Sequence, residues 1–177
     1  AQLIKLEQLI SSLMNISRLE TAMISLSVQP VFLNDLLVTS VNGIYEKARK
    51  KNIEIALQEI ENISLQLDEH WTSEAIINVL DNAVKYSPEY SHINITVQKQ
   101  HFYTRIEITD EGIGIPENEY NKIFQRFYRS NEPAVKRMEG SGVGLYLTRM
   151  ILERQGGTIS VKSVPGIGST FILQFKN

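Results

Sequence analysis

Three polar side chains, Asn78, Asn82 and Lys85, recur at i, i+4 and i+7, a spacing that puts them on one face of a helix. A carboxamide oxygen suits Mg²⁺ that keeps several waters and is held mainly by substrate phosphates, and a neighbouring ammonium neutralises phosphate charge. Taken alone, Asn78 and Lys85 also fit a solvated helix face. Further on, the run Asp110-Glu111-Gly112-Ile113-Gly114-Ile115-Pro116 closes an alternating apolar segment. Its paired glycines let backbone approach a ligand or take positive φ, and an Asp at a strand end can accept from an exocyclic amine. A tight turn explains the same run. Gly140-Ser141-Gly142-Val143-Gly144-Leu145 then opens a helix, a nest of amides able to face a polyphosphate. It is neither a Walker loop, since no Gly-Lys-Ser/Thr follows, nor a dinucleotide fingerprint, since the glycine spacing and βαβ context are absent. Between the glycine runs, residues 122–137 carry Lys122, Arg126, Arg129, Lys136 and Arg137 against Glu132 alone. A cationic loop beside a glycine nest suits closure over a triphosphate, and a solvated loop is the plain alternative. Phe124, Phe127 and Tyr128 are expected to anchor that loop, or else to be ordinary core aromatics.

These residues need elements to hold them. Asp68 can cap a helix over 69–86 that buries Ile76, Ile77, Leu80, Ala83 and Val84, with Ser87 and Pro88 ending it. Ile93, Ile95 and Val97 alternate as a strand, and Ile106 and Ile108 as the next, which runs into Asp110. A short helix is expected over 117–127, a polar loop over 128–140, and a helix over 143–155 closed by Gly156 and Gly157. Two strands follow, near 158–162 and 169–175. Upstream, a helix capped by Asn34 runs through Ala48 into Lys47, Arg49, Lys50 and Lys51, a basic end that suits the helix dipole. Ile53, Ile55 and Leu57 read as one strand, and Ile63, Leu65 and Leu67 as another. Residues 1–24 place Leu6, Leu9, Leu13, Ile16 and Met23 on one stripe of an amphipathic helix. That stripe either packs on its own domain or forms a seam for a second chain. Ser25 to Pro30 changes the period, which puts a domain boundary near residue 24. The expected fold is α+β, a mixed sheet with helices on one face.

Composition narrows the options. At 177 residues and about 150 residues per domain, the chain is one domain with a modest appendage. Hydrophobic residues at 42% and charged ones at 21% mark a chain that folds. With 18 Lys and Arg against 20 Asp and Glu, nothing drives sequence-independent nucleic-acid binding. The absence of Cys excludes disulfides and Cys-ligated zinc. No apolar run is long enough to span a membrane and no signal peptide is visible, so the sequence as given reads as soluble.

Residues 78–88 (NVLDNAVKYSP), 110–116 (DEGIGIP), 123–129 (IFQRFYR), 140–145 (GSGVGL) and 166–171 (GIGSTF) resemble, in order, five motifs of sensor histidine kinases. These are the N box, the first glycine box, the F box, the second glycine box and the final glycine motif. The resemblance implies a catalytic ATP-binding domain over 25–177, a two-layer α/β sandwich of the kind shared with Hsp90, gyrase and MutL. It makes 1–24, with Ser17, Arg18, Leu19 and Glu20, the second helix of a dimerisation and histidine-phosphotransfer hairpin. Carried over residue by residue, it implies that Asn82 ligates Mg²⁺, that Asn78 lies beside phosphate or metal, and that Lys85 meets phosphate. Tyr86 then lines the base or ribose, Asp110 accepts from the adenine amine, and Gly112, Gly114 and Ile115 shape the floor under the base. Arg126 and Arg129 reach the γ-phosphate, Gly140, Gly142, Gly144 and Leu145 cradle the phosphates, and Thr170 bonds near the adenine. Gln125 and Val143 depart from the commoner Glu and Leu, which bears on lid dynamics. The family's phosphoacceptor motif matches none of His70, His92 and His101, so the chain reads as part of a longer kinase without its acceptor.

What the resemblance implies is therefore transfer of the ATP γ-phosphoryl to a His on an upstream helix, for relay to the Asp of a response regulator receiver domain. The expected parent is a homodimer through residues 3–23, on the cytoplasmic side of a membrane that it reaches through upstream segments. A nucleotide-binding clamp or an anti-sigma-type serine kinase on the same fold is the alternative. The helix over 1–24 and the IFQRFYR stretch speak against it.

Overall fold

The structure is a computed structural model that describes residues 25–59 and 62–177, together with Ile10, Met14 and Ser17. Those three are helical and exposed. The rest of the helix expected over 1–24, and with it the apolar seam, lies outside the described residues.

The described chain forms two sheets. Strand β1 (Gln29–Phe32) pairs antiparallel with β3 (Ser64–Leu67). The larger sheet has the order β2-β4-β5-β7-β6, from β2 (Glu54–Leu57), β4 (His92–Lys99), β5 (Tyr103–Asp110), β6 (Thr158–Val164) and β7 (Gly168–Lys176). Only the β2 and β4 pair is parallel, which requires a long crossover, and that crossover carries β3 and a helix. Helix α1 (Leu33–Lys50) buries Leu33, Leu36, Leu37, Ile44 and Ala48 at intervals of one helical turn. Helix α2 (Glu69–Tyr86) buries Ala75, Ile76, Val79, Leu80, Ala83 and Val84 in the same way. A five-residue helix α3 (Pro133–Arg137) begins on a proline, and α4 (Gly144–Arg154) buries Leu147, Ile151 and Leu152. Strict alternation in β5 sends Ile106, Ile108 and Asp110 to the buried face, where β7 contributes Phe171, Leu173 and Phe175. The core joins this face to the three long helices, so the fold is the expected two-layer α/β sandwich with a mixed sheet.

Asp68 caps α2 as the sequence suggests, accepting from Trp71 N at 3.0 Å, a contact worth about 1 kcal/mol. The same carboxylate accepts from Ser27 N at 2.8 Å, while Asp68 N donates to Gln155 Oε1 beyond α4 at 2.7 Å. The segment entering the domain is thereby tied to both helices that flank the cavity described below.

Several local expectations are corrected. Helix α1 starts at Leu33 behind Phe32, which offers no side-chain cap, so Asn34 lies inside the first turn. Residues 117–127 form only a 3-10 turn over Glu117–Glu119 and a string of turns. Phe127 breaks the periodicity there, with φ of 63° and an N–H that donates to Gly142 O at 2.9 Å in place of an intrahelical carbonyl. Phe127 is 53% exposed and anchors nothing, whereas Phe124 is buried in edge-to-face contact with Phe171. Ile77 is half-buried against Gly43 at the cavity wall and is not a core residue.

Candidate nucleotide site

A cavity of about 720 Å³ opens between α2, the end of β5, the segment 113–116, residues 128–142 and the start of α4. Asn78, Asn82, Lys85 and Tyr86 line it from α2, as the i, i+4, i+7 spacing requires. Asp110, Gly114 and Ile115 line it from the β5 end, and Gly140, Gly142, Gly144 and Leu145 from the second glycine run. Three segments distant in sequence thus meet around one space.

Asp110 occupies the place where the buried alternation of β5 would put another apolar residue. Burial accordingly raises its pKa from 3.8 to about 6, partly opposed by two amide hydrogen bonds to the carboxylate. Gly112 N donates to Oδ1 at 2.8 Å and Ser169 N at 3.3 Å, which fixes the side chain. Gly112 does not itself line the cavity. It lies beneath, where a Cβ would stand 2.7 Å from Asp110 Oδ1 and 3.1 Å from Tyr86 O. Gly114 takes φ of +71° against the backbone of Val164 and Pro165, and Ile115 N donates to Ser163 Oγ at 2.8 Å. The floor below the cavity is thereby stitched to the turn between β6 and β7.

At the other end Lys85 reaches across to the second glycine run. A Cβ on Gly140 would fall 2.6 Å from Lys85 Nζ, and the same ammonium sits 4.7 Å from the Tyr86 ring centroid. Asn78 Oδ1 stands 3.4 Å from the place a Gly144 Cβ would take. Asn78 Nδ2 is buried and finds no partner among the described residues. A buried donor left over beside glycine backbone fits an anionic oxygen acceptor. Among the described residues no three His, Cys, Asp or Glu side chains gather at one point. Without such a cluster, phosphate oxygens, waters and an amide oxygen such as that of Asn82 make a donor set that would fit Mg²⁺, with Glu74 and Asp81 the nearest carboxylates along the same helix wall.

Of the expected site residues, Thr170 and Arg126 lie off the cavity and Arg129 lines it with its charge turned away. Thr170 pairs with Thr109 in the register of β5 and β7, and their hydroxyls are 3.0 Å apart on the sheet face opposite the helices. The neighbour on the cavity side is Ser169, because a one-residue step along a strand reverses the face. Arg126 is exposed, lies off the cavity, and stacks 5.1 Å from the Phe127 ring centroid. Arg129 does line the cavity, but its guanidinium is turned to the loop: Nη2 donates to Val135 O at 2.6 Å and to Met138 O. Val135 O also accepts from Met138 N at 3.2 Å, so Arg129 adds a second donor there and ties the end of α3 to Met138 just beyond it. Sequence reading missed Ser163, Ser169 and Glu119. Glu119 lines the cavity and accepts from Ser130 Oγ at 3.0 Å, and its charge and hydrogen bond help burial to raise the pKa of Tyr128.

The mixed sheet under three helices, with a cavity between α2, the end of its central strand β5 and two glycine runs, defines a nucleotide-binding α/β sandwich. Residues 67–177 match the family described as histidine kinase-, DNA gyrase B-, and HSP90-like ATPase, and the chain belongs to it. The circadian input-output histidine kinase CikA of Synechococcus elongatus is 32% identical over 167 residues, 93% of this chain and 22% of that protein. The signal transduction histidine-protein kinase ArlS of Staphylococcus aureus is 29% identical over 168 residues, 95% of this chain and 37% of its own length. The chain thus spans well under half of either relative. Among solved structures, full-length ShkA in complex with AMPPNP superposes with a TM-score of 0.82 at 26% identity, covering 97% of this chain and 35% of that one. Histidine kinase ThkA in complex with response regulator protein TrrA gives 0.78 at 26% identity, covering 97% of this chain and 48% of that one. Among the described residues no helix is long and apolar enough to cross a membrane.

Proposed function

We propose that this chain binds Mg-ATP and presents the γ-phosphoryl group to a histidine on a helix upstream of the domain, as the catalytic part of a sensor histidine kinase. The carrying observation is the meeting of Asn78, Asn82, Lys85, Asp110 and the glycines of 140–144 around one cavity. In this reading the Asp110 carboxylate accepts from the adenine amine, with Tyr86 and Ile115 against the base and ribose. Lys85 and the amides of the second glycine run face the phosphates. Asn82 holds Mg²⁺, with Asn78 donating beside it, and the metal when bound neutralises charge on the transferring group. Arg126 and Arg129 belong to this reading as lid cations that turn inward on nucleotide binding, a movement in which Arg129 gives up its bonds to Val135 O and Met138 O. Thr170 acts through Thr109 and the sheet, its hydroxyl 3.0 Å from that of Thr109.

Catalysis of this kind is positioning and charge neutralisation, with no covalent step on the domain. Relay to a response regulator receiver domain is supported by the likeness to ThkA, solved with such a protein. Homodimerisation through the helix of 1–24 and a parent anchored on the cytoplasmic side of a membrane complete the proposal. The test is calorimetric titration of the chain and of Asp110→Asn with ADP and a non-hydrolysable ATP analogue, each with and without Mg²⁺. Binding that requires Asp110, and that Mg²⁺ strengthens for the triphosphate, is the expected result; a folded chain that binds neither nucleotide overturns the reading.

A further inference from the structure

Helix α2 delivers Lys85 and Tyr86 to the cavity from its last turn; Ala83 O there accepts from the Ser87 N–H at the cap, and the carbonyls that follow it have no intrahelical donors. Pro88, just beyond, has no N–H to lend them. Lys51, the residue that follows α1, supplies what is missing. Its Nζ donates to Val84 O at 2.8 Å, to Lys85 O at 3.2 Å and to Ser87 O at 2.5 Å. An ammonium has three protons, and here it meets three carbonyls at the negative end of a helix dipole. The cost of bringing that charge out of water shows in its pKa, which burial pulls below the ordinary lysine value against a smaller upward pull from Glu89. The backbone repeats the tie, since Tyr90 N donates to Lys51 O at 3.0 Å. Beyond the turn, Tyr86 O lies against Gly112, whose N–H holds Asp110 Oδ1.

We propose that Lys51, which lies outside the segment matched to the family and off the cavity wall, is a positioning residue for the nucleotide site. It holds the last turn of α2 so that Lys85 and Tyr86 face the ligand and Gly112 is seated under Asp110. The inference rests on the nucleotide reading above for the identity of the ligand, and on the hydrogen bonds alone for the positioning.

The experiment compares the full chain with Lys51→Met, Lys51→Arg and Leu65→Ala, the last a core truncation on β3 far from the cavity. Each is titrated with ADP and with AMP-PNP and Mg²⁺ well below its unfolding temperature, and amide hydrogen exchange is followed in parallel. Lys51→Met is expected to weaken both nucleotides about tenfold and to speed exchange locally at 84–87, while Leu65→Ala lowers thermal stability and leaves affinity within about twofold. Lys51→Arg is expected to recover part of the affinity, because a planar guanidinium cannot aim at all three carbonyls. If Lys51→Met does not fold, Lys51→Arg carries the test, and parental affinity with parental exchange at 84–87 overturns the proposal. The same result in Lys51→Met overturns it, as does an equal loss of affinity in Leu65→Ala. Should the parent chain bind neither nucleotide, the nucleotide reading falls, and the exchange arm still decides: unchanged protection at 84–87 rejects the positioning role, and loss confined there upholds it.

Discussion

At the β5 end of the cavity Asp110, Gly112 and Ser169 are buried and joined by backbone hydrogen bonds, whereas residues 128–142 on the far side hold one five-residue helix and leave Met138 40% exposed. Next to that segment Phe127 is half exposed, tied by its backbone to Gly142 and touched on its ring by Arg126. The first region is fixed by a sheet, with the Asp110 carboxylate held by two amides. The second owes its shape to a few side-chain ties, such as Arg129 to Val135 and Met138 and Ser130 to Glu119, and can be reshaped at little cost. In the proposed function the fixed end belongs to the base and the adaptable end to the phosphates. Discrimination among bases and response to the third phosphate should then be separable by mutation.

The largest effect expected from that separation is at Asp110. Asp110→Ala should weaken ADP and AMP-PNP alike by about a hundredfold, since a charged hydrogen bond is lost at the end common to both, as read by calorimetry. A loss confined to the triphosphate would break the comparison. Asn82→Ala should cost about tenfold, and only with Mg²⁺ present; an equal loss in chelator would show that Asn82 is not the cation's ligand. Acid should act at the fixed end as well. With Asp110 raised to about 6, its ionised form accepts from an amine, so nucleotide affinity should fall as pH drops below that value, by up to about tenfold per unit. The fold itself responds with the opposite sign. A carboxyl whose folded pKa lies above its unfolded one contributes stability at pH below about 3.8 that is lost as pH rises through about 6. Titrations at stepped pH on the chain and on Asp110→Asn separate the two, because the variant should bind weakly with no such slope. The smallest effect is at the adaptable end. Arg129→Ala should change ADP affinity within about twofold while loosening residues 129–138 to proteolysis, because only loop carbonyls lose their donor.

What could be read from sequence follows the same division. Alternation in β5, the Asp68 cap and the α2 face are local periodic signals, and they put Asn78, Asn82 and Lys85 on one helix face and Asp110 at a strand end, the two elements that wall the cavity. The resemblance puts Thr170 near the adenine, yet Ser169, Phe171, Leu173 and Phe175 share the helix-facing side of β7 by alternation, so Thr170 stands on the other one. The segment 117–127 has the composition of a helix, yet Phe127 gives its amide to Gly142, a partner fifteen residues later that no local pattern reveals. The resemblance turns Arg129 towards phosphate, whereas the carbonyls of Val135 and Met138 that hold it are visible only in three dimensions. Lys51 looked like one more cation at a helix end, because the three carbonyls it serves belong to another helix.

The double use of Asp68 has a mechanical consequence. A pull on the chain ahead of Ser27 loads a hydrogen bond to the carboxylate that caps α2, and Gln155 passes part of that load to the end of α4. Tension therefore enters the domain as torque on the two helices beside the cavity, while the sheet that carries Asp110 serves as the anvil.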